Sequence, residues 1–359
     1  MIADDALRYE PLFPGDPAPW FRQRCIGRAG LFSFDMMAGR FVLLCFYGAF
    51  RDAQAQAALA GVRSRRSLFD KAEFSFLGVS TEAHDETVPE LAQSPGAIHF
   101  ADSDGSVSRA FGVAPLAGPP HLAVLRRGWF ILDPRLRIVA KFSFDEAGAA
   151  AALAMLERLP AVAAYHGDAP APVLTVPGVF EPEFCTRLID AHRAERGQDS
   201  PILIEGAILK DHDFKRRRDV RLSEPALVNQ VHARIVRRVI PEIRHVFQFN
   251  ATRMERLIVA VYDAADAGRF GPHRDNTIAA TAHRRFAVSI NLNDDFEGGG
   301  LVFPEYSARV YRPPVGGALV FSCSLMHAVL PMTRGRRYAC LPFVYDDAAV
   351  IFPPKSGRG

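Results

Sequence analysis

Apolar positions fall into two rhythms along the chain, and the change lies near residue 160. Before it, continuous apolar runs alternate with Ala-rich stretches. Phe41 to Tyr47 (FVLLCFY) reads as a buried strand and Ala53 to about Leu68 as a helix. Phe74 to Val79 reads as a second strand, and Val107 to Phe111 as a short helix. His121 to Leu125, Trp129 to Leu132 and Ile138 to Phe142 suggest further strands, and Asp145 to Leu159 closes as a helix. Alternating β and α elements predict a layered α/β domain. Pro120, ahead of a strand, is a candidate cis-proline.

After residue 160 the period shortens. Residues 161–172 (AVAAYHGDAPAP) read as a Pro/Ala-rich linker. Glu181 to Glu195 carries a helical stripe of Phe184, Leu188 and Ile189. Ser223 to Val239 repeats Leu227, Val231, Ile235 and Val239 at every fourth position, with Ser223 as N-cap and Pro225 in the first turn. Beyond these helices come short β-type runs. Glu255 to Tyr262 (ERLIVAVY) is one, and Arg285 to Leu292 (RFAVSINL) is another. The second alternates, with Phe286, Val288, Ile290 and Leu292 on one face and Ala287, Ser289 and Asn291 on the other. The small polar face fits either a pocket wall or a solvent face. Ala318 to Phe321 and residues 337–345 complete the set, separated by turns such as Asp294–Gly300 and Gly316-Gly317. Regular short strands with Gly/Pro/Asp turns predict a sandwich or barrel.

The chemistry concentrates in this second half. His273-Arg274-Asp275 is an H-x-D pair in a loop between strands, and His327 follows a later strand. Two imidazoles and a carboxylate are the donors of a facial triad that holds non-haem Fe(II) and leaves positions open for a co-substrate and O2. H-x-D alone is a weak signal. The chain carries a second copy, His166-Gly167-Asp168, in the linker, where it reads as a solvated loop. Arg337, ten residues past His327, adds a cation able to grip a carboxylate bidentately. Arg336 should face away from Arg337 on the same strand, and Arg334, before Gly335, should sit in the turn.

Taken together, Tyr262…Phe270-x-x-His273-x-Asp275, Leu292-Asn293-x-Asp295-Phe296-x-Gly298-Gly299, Gly317-x-x-x-Phe321 and His327-x-Val329…Gly335-x-Arg337-Tyr338 resemble the Fe(II)/2-oxoglutarate dioxygenases of the prolyl-hydroxylase-like branch. The resemblance implies a double-stranded β-helix (jelly-roll) over residues 173–359, with bracing helices. It implies iron at His273, Asp275 and His327, and the C5 carboxylate of 2-oxoglutarate on Arg337. By motif position Tyr262 and Asn291 line the pocket. It implies the cofactors Fe(II), 2-oxoglutarate and O2, and hydroxylation of an unactivated C–H bond in a peptide, a protein side chain or a small metabolite.

The first 160 residues resemble a thioredoxin-like domain of the peroxiredoxin kind. Gly15-Asp16-Pro17-Ala18-Pro19-Trp20-Phe21, Asp102-Ser103-Asp104-Gly105-Ser106…Phe111-Gly112-Val113 and Phe130-Ile131-Leu132-Asp133-Pro134 carry the likeness. That family needs a Cys where the helix after the first core strand begins, activated by the helix N-terminus and a nearby Arg. Here Phe46 to Gln54 contains none, and Cys45 lies inside the strand. The domain therefore reads as a redoxin scaffold without peroxidase chemistry. It would position substrate, bind a partner or form a homodimer. The overall expectation is a two-domain α+β chain and a 2-oxoglutarate dioxygenase. The alternatives are a non-catalytic metal-binding regulatory protein and a thiol peroxidase.

Composition narrows the setting. A net charge of +3 gives no argument for nucleic acid. No run of about twenty apolar residues predicts a membrane span, and the acidic start lacks a signal-peptide pattern, so a cytoplasmic enzyme is expected. Five cysteines without C-x-x-C argue against a disulfide framework or structural zinc; Cys45, Cys185 and Cys340 read as core, and Cys323 falls four residues before His327. Lys215 to Arg218 and Arg63 to Arg66 read first as solvated basic runs. Residues 215–218 could instead hold an acidic or phosphorylated group at the pocket mouth.

Overall fold

A computed structural model describes residues 7–69, 73–92, 97–118, 124–195, 197–204, 207–209 and 211–349. The chain divides into two compact units, Met1–Gly167 and Asp168–Gly359.

The first unit is built on a five-stranded sheet. Its strands are β1 (Phe41–Gly48), β2 (Phe74–Ser80), β3 (Ala97–Ala101), β4 (Gly128–Leu132) and β5 (Ile138–Ser143), in the order β3-β2-β1-β4-β5. β1 to β3 run parallel, while β4 and β5 are antiparallel to their neighbours. Every residue of β1 is buried, as its unbroken apolar sequence requires of a central strand. Helices α1 (Ala53–Ser64) and α2 (Glu146–Arg158) supply Ala55, Leu59, Val62, Leu153 and Leu156 to the core against this sheet. Asp52 caps α1 through Ala55 N, and Asp145 caps α2 through Gly148 N. The helix expected over 53–68 ends at Ser64 and continues as a 3-10 turn, Arg66–Leu68. Pro120 and residues 121–123 of an expected strand lie outside the described residues.

Part of the expected linker is structured. Val162–His166 is a short helix whose Tyr165 packs edge-on to Phe41, and Ala171 is buried with its N–H donated to the Tyr311 hydroxyl.

In the second unit, three helices cover one face of a large antiparallel sheet: α3 (Pro182–Glu195), α4 (Pro225–Arg238) and α5 (Ile240–Phe247). The expected stripes pack as read: Phe184, Leu188 and Ile189 from α3 meet Leu227, Val231, Ile235 and Val239. Each fully buried aliphatic side chain here contributes about 1.5–3 kcal/mol. Ser223 is not the cap of α4. Glu224 takes that position with no side-chain cap bond, because Pro225 starts the helix.

The strands that matter to the site are β6 (Lys215–Arg216), β7 (Arg218–Arg221), β8 (Ile258–Asp263), β9 (Arg269–His273), β10 (Phe286–Asn291), β11 (Leu301–Phe303), β12 (Ser307–Tyr311), β13 (Ala318–Ser322), β14 (His327–Val329), β15 (Arg336–Cys340) and β16 (Phe343–Tyr345). One sheet has the order β6-β9-β14-β11-β12, and the larger sheet contains the run β16-β10-β15-β8-β7 with β13 beside β10. Val259, Val261, Val288, Ile290 and Val320 turn to the helices; Tyr262, Ala287, Leu319 and Phe321 turn to an inner core with Leu301, Phe303 and Val329. Period-two alternation thus divides each strand between two cores.

Two expected strands are interrupted. The run 255–262 breaks at Arg256, whose φ of +60° is left-handed, so Arg253–Glu255 and β8 are separate. The run 337–345 breaks at Leu341-Pro342, since proline cannot donate to the ladder.

Candidate metal and anion site

β9 and β14 are antiparallel neighbours, and His273 stands directly opposite His327 in their register. A cross-strand pair brings two side chains within reach on one face. Asp275 lies two residues beyond β9, and its N–H donates to the Cys323 carbonyl at 3.0 Å. The ligating atoms of His273, Asp275 and His327 all lie within 4.8 Å of one another.

The imidazoles are oriented from behind. His273 Nδ1 is 2.8 Å from the Gly271 carbonyl, and His327 Nδ1 is 3.1 Å from the Leu325 carbonyl. A carbonyl only accepts, so each Nδ1 carries the hydrogen and each Nε2 keeps its lone pair. Both Nε2 atoms face Asp275, at 3.6 Å to Oδ1 and 3.5 Å to Oδ2. Burial, reinforced by His327, holds the His273 pKa well below the ordinary value, which keeps the ring neutral. Two imidazoles and a carboxylate from adjoining segments are a donor set that fits a divalent cation of the ferrous type. Phe270 stacks on His273 at 3.5 Å, and Phe321 packs edge-on to His327 at 4.6 Å.

Arg274, between two of these residues, points the other way. It pairs bidentately with Glu305 (Nη1–Oε2 3.1 Å, Nη2–Oε1 2.7 Å) and bonds the Ser324 carbonyl. Glu305 also accepts the Met326 N–H at 2.7 Å. This buried pair ties the loop after β9 to the segment leading into His327. Sequence reading missed Glu305; only the position of Arg274 inside H-x-D hinted that it needed a partner.

Arg337 is the other chemical centre. It is opposite Tyr262 across β8 and β15, is 2% exposed, and lies 5.5 Å above the Tyr262 ring. Its Nε donates to Asn291 Oδ1 at 3.0 Å and its Nη2 to Ser289 Oγ at 3.0 Å. The small polar face of β10 is therefore a buried wall and not a solvent face. Among the described residues no carboxylate pairs with Arg337. Burial brings its pKa down to about 10, with Arg217 and Arg312 adding repulsion. Gly299, at φ +63°, lies against it: an added Cβ would stand 2.3 Å from Met332 Sδ and 3.3 Å from Arg337 Cδ. Arg336 faces outward to Asp263 at 2.6 Å and Arg334 to Glu297 at 2.9 Å. Arg334 closes the strand Met332–Arg334, and Gly335 alone makes the turn, with φ +71°.

The basic run 215–218 is not a uniform surface. Lys215 and Arg217 are buried, while Arg216 and Arg218 are only part-buried and reach exposed acids. Arg217 Nη1 approaches the Tyr262 hydroxyl at 3.3 Å, and its guanidinium lies 5.7 Å over Phe270. Tyr262 and Arg217 thus link Arg337 to the ring stacked on His273. Strand alternation through 215–219 was the signal available in the sequence. Cys323, though near, is fully buried and its thiol pKa is raised well above the ordinary value, first by burial and then by Asp275. His192 packs edge-on against Tyr338.

In the first unit, the α1 N-terminus presents Ala53, Gln54 and Ala55, with Arg127 on Asp52 at 3.0 Å. Cys45 is fully buried within β1, and burial pushes its thiol well up, against the pull of Arg127.

No family model matches the sequence. Among curated proteins, the chain is 26% identical over 95 residues to a PKHD-type hydroxylase of Synechococcus sp. (strain JA-2-3B'a(2-13)), covering 24% of this chain and 42% of that protein. It is 25% identical over 181 residues to a PKHD-type hydroxylase of Xanthomonas axonopodis pv. citri, covering 47% and 76%. It is 30% identical over 133 residues to procollagen-lysine,2-oxoglutarate 5-dioxygenase 1 of Mus musculus, covering 35% and 17%. The chain spans about two fifths of the length of the first curated relatives it matches. Solved structures with a likeness include a Trichoplax adhaerens prolyl hydroxylase in complex with a hypoxia inducible factor peptide fragment (TM-score 0.38, 16% identity, 49% of this chain and 84% of that one). Another is the peroxidoxin BcpB of Mycobacterium tuberculosis (TM-score 0.36, 22% identity, 42% and 100%). The chain is thus related in sequence, at low identity, to hydroxylases of the PKHD and procollagen-lysine types. Among the described residues no helix is long and apolar enough to cross a membrane.

Proposed function

We propose that the second unit is an Fe(II)- and 2-oxoglutarate-dependent dioxygenase that hydroxylates an unactivated C–H bond of a peptide, a protein side chain or a small metabolite. One observation carries the reading: two imidazoles, each held at Nδ1 by a backbone carbonyl, turn Nε2 toward one carboxylate. His273, Asp275 and His327 would hold Fe(II), and three positions would remain for 2-oxoglutarate and O2. When bound, iron and 2-oxoglutarate supply the oxidation, coupling decarboxylation to succinate and CO2 with transfer of one oxygen atom to the substrate.

The chain's own residues do the rest. The Arg337 fork grips the distal carboxylate, and Asn291 and Ser289 hold the guanidinium in plane for it. A buried cation without a counter-ion is costly unless a ligand completes it. Tyr262 forms the floor beneath it. Phe303, Phe321 and Val329 line the inner core behind the histidines and exclude water. The first unit's strand order and directions support a thioredoxin-like reading, and its thiol-free helix start supports a scaffold role.

The test uses the full chain with Fe(II), ascorbate and 2-oxoglutarate. Succinate and CO2 should form and require the metal, and His273→Ala and Asp275→Ala should abolish metal binding as well as turnover. Metal binding that survives both substitutions would remove the reading.

A further inference from the structure

Residues 215–219 alternate across a strand edge. Arg216 pairs with exposed Asp213, and Arg218 with buried Asp263 and exposed Asp266. Lys215 and Arg217 turn inward. Lys215 Nζ lies 4.6 Å over the Phe270 ring, which also stacks on the imidazole of His273 at 3.5 Å. The Lys215 amine is thus one ring away from the metal site.

The charges around it do not balance. Arg217 and Arg256 share Asp219: Arg217 bonds it bidentately at 2.8 Å, Arg256 stands at 3.5 Å, and the Ser200 hydroxyl donates to it at 2.6 Å. That carboxylate is fully engaged. Asp275 also acts on Lys215, but its oxygens face the two imidazoles. Lys215 is 5% exposed, and among the described residues its Nζ donates to the Pro201 carbonyl at 3.0 Å. Among the described residues no carboxylate comes within ion-pair distance of it. Arg256 itself reaches this cluster from a left-handed backbone, φ +60°, that breaks the strand. Strain of that kind persists where the surroundings over-determine it, as at ligand sites.

We propose that Lys215, backed by Arg256, binds a carboxylate of the substrate beside the metal, so that the site selects acidic substrates. This rests on the dioxygenase reading above. It differs from the anchoring of the co-substrate, which falls to Arg337. Burial, with Arg217 adding repulsion, brings the Lys215 pKa down to about 6, the mark of a cation lacking its partner. A carboxylate beside Nζ would restore the charge. A purely structural lysine would instead be tied to an acid of its own.

The experiment takes the full chain in three forms: wild type, Lys215→Met and Lys215→Arg. Affinity for 2-oxoglutarate is measured first, by titration calorimetry on the Mn(II)-loaded proteins. CO2 release from 2-oxoglutarate is then followed with Fe(II) and matched probe libraries. One arm compares free-acid dipeptides with their C-terminal amides. The other compares end-blocked hexapeptides rich in Asp and Glu with the same peptides carrying Asn and Gln. Wild type should respond to at least one acid library about tenfold or more above its amide match. The arm that responds tells whether the carboxylate is a small-molecule or chain-terminal group, or an acidic side chain. Lys215→Met should lose the preference without losing affinity for 2-oxoglutarate, and Lys215→Arg should recover part of it. The melting temperature of Lys215→Met should not fall, since it replaces a buried amine, which has no acid partner among the described residues, by an apolar side chain of similar length; a fall would mark Lys215 as structural. Equal response to acids and amides, or to neither, overturns the proposal. So does weaker 2-oxoglutarate binding in Lys215→Met, which would assign the lysine to the co-substrate. Failure of wild type to bind Mn(II) and 2-oxoglutarate would instead remove the dioxygenase reading beneath it.

Discussion

At the scale of single residues, what separates Arg337 from its neighbours is the company each keeps. Arg336 and Arg334 each have an acid partner, Asp263 and Glu297; Arg337 has two neutral acceptors in a buried wall. Arg337→Ala should therefore raise KM for 2-oxoglutarate by roughly tenfold to a hundredfold, the loss expected for charged hydrogen bonds, and Arg336→Ala should change it little. Steady-state kinetics on the two variants checks the ranking, and the reverse order would move the anchor. Glu305 makes a second residue-scale case. Glu305→Gln removes the charge that compensates buried Arg274, which should cost about 3–5 kcal/mol of stability. Because the pair also positions the Met326 N–H, affinity for metal should fall with it. Chemical denaturation and metal titration read both, and unchanged values in each would show that the pair is idle.

Elements add what residues cannot. α4 is tied to the start of α3 through Glu181, which accepts from Arg234 Nε at 2.7 Å and from Arg238 Nη2 at 2.5 Å. These bonds hold the Glu181 carboxyl down to about 2, below its ordinary 4.5. A depressed carboxylate pKa contributes stability that is present above the unfolded value and is lost as pH falls through the folded one. The helical layer should thus weaken between pH 4.5 and 2, and Glu181→Gln should flatten that part of the stability profile. Thermal melts at stepped pH would reveal it; an identical slope in the variant would count against the clamp. Element boundaries were legible where one local rule dominated. The apolar run of β1 and the fourfold stripe of α4 packed as their periodicity required. Reading stumbled where a single backbone choice intervened, at Arg256 with its left-handed φ and at Pro342, which split expected strands.

For the whole molecule, each unit buries a core of its own: among the described residues β1 and α2 share one in the first unit, and the sheets of the second unit pack around others. Removing residues 1–167 should therefore leave a folded remainder that binds metal and 2-oxoglutarate with unchanged affinity. If the first unit recruits a protein substrate, KM for that substrate should rise while kcat stays. An unchanged kcat/KM would show that recruitment plays no part and would favour a small-molecule substrate.

Sequence by itself determined the local rhythm, the two-part division and the candidate donors, because strand period, helix period and turn chemistry act over a few residues. The H-x-D pair and a later His name the atoms that ligate. Only the tertiary structure decided which donors meet. His273 faces His327 because β9 and β14 pair in one register, whereas His166 belongs to a short helix of the first unit. It also decided burial. Lys215 to Arg218 look alike in sequence, yet the strand turns Lys215 and Arg217 to the site and Arg216 and Arg218 outward. Glu305 joined the site from a distant turn because Arg274 needed a counter-charge. The physical reason is one of range: periodicity is set by near neighbours, whereas the pairing of charges depends on segments that only the folded sheets bring together.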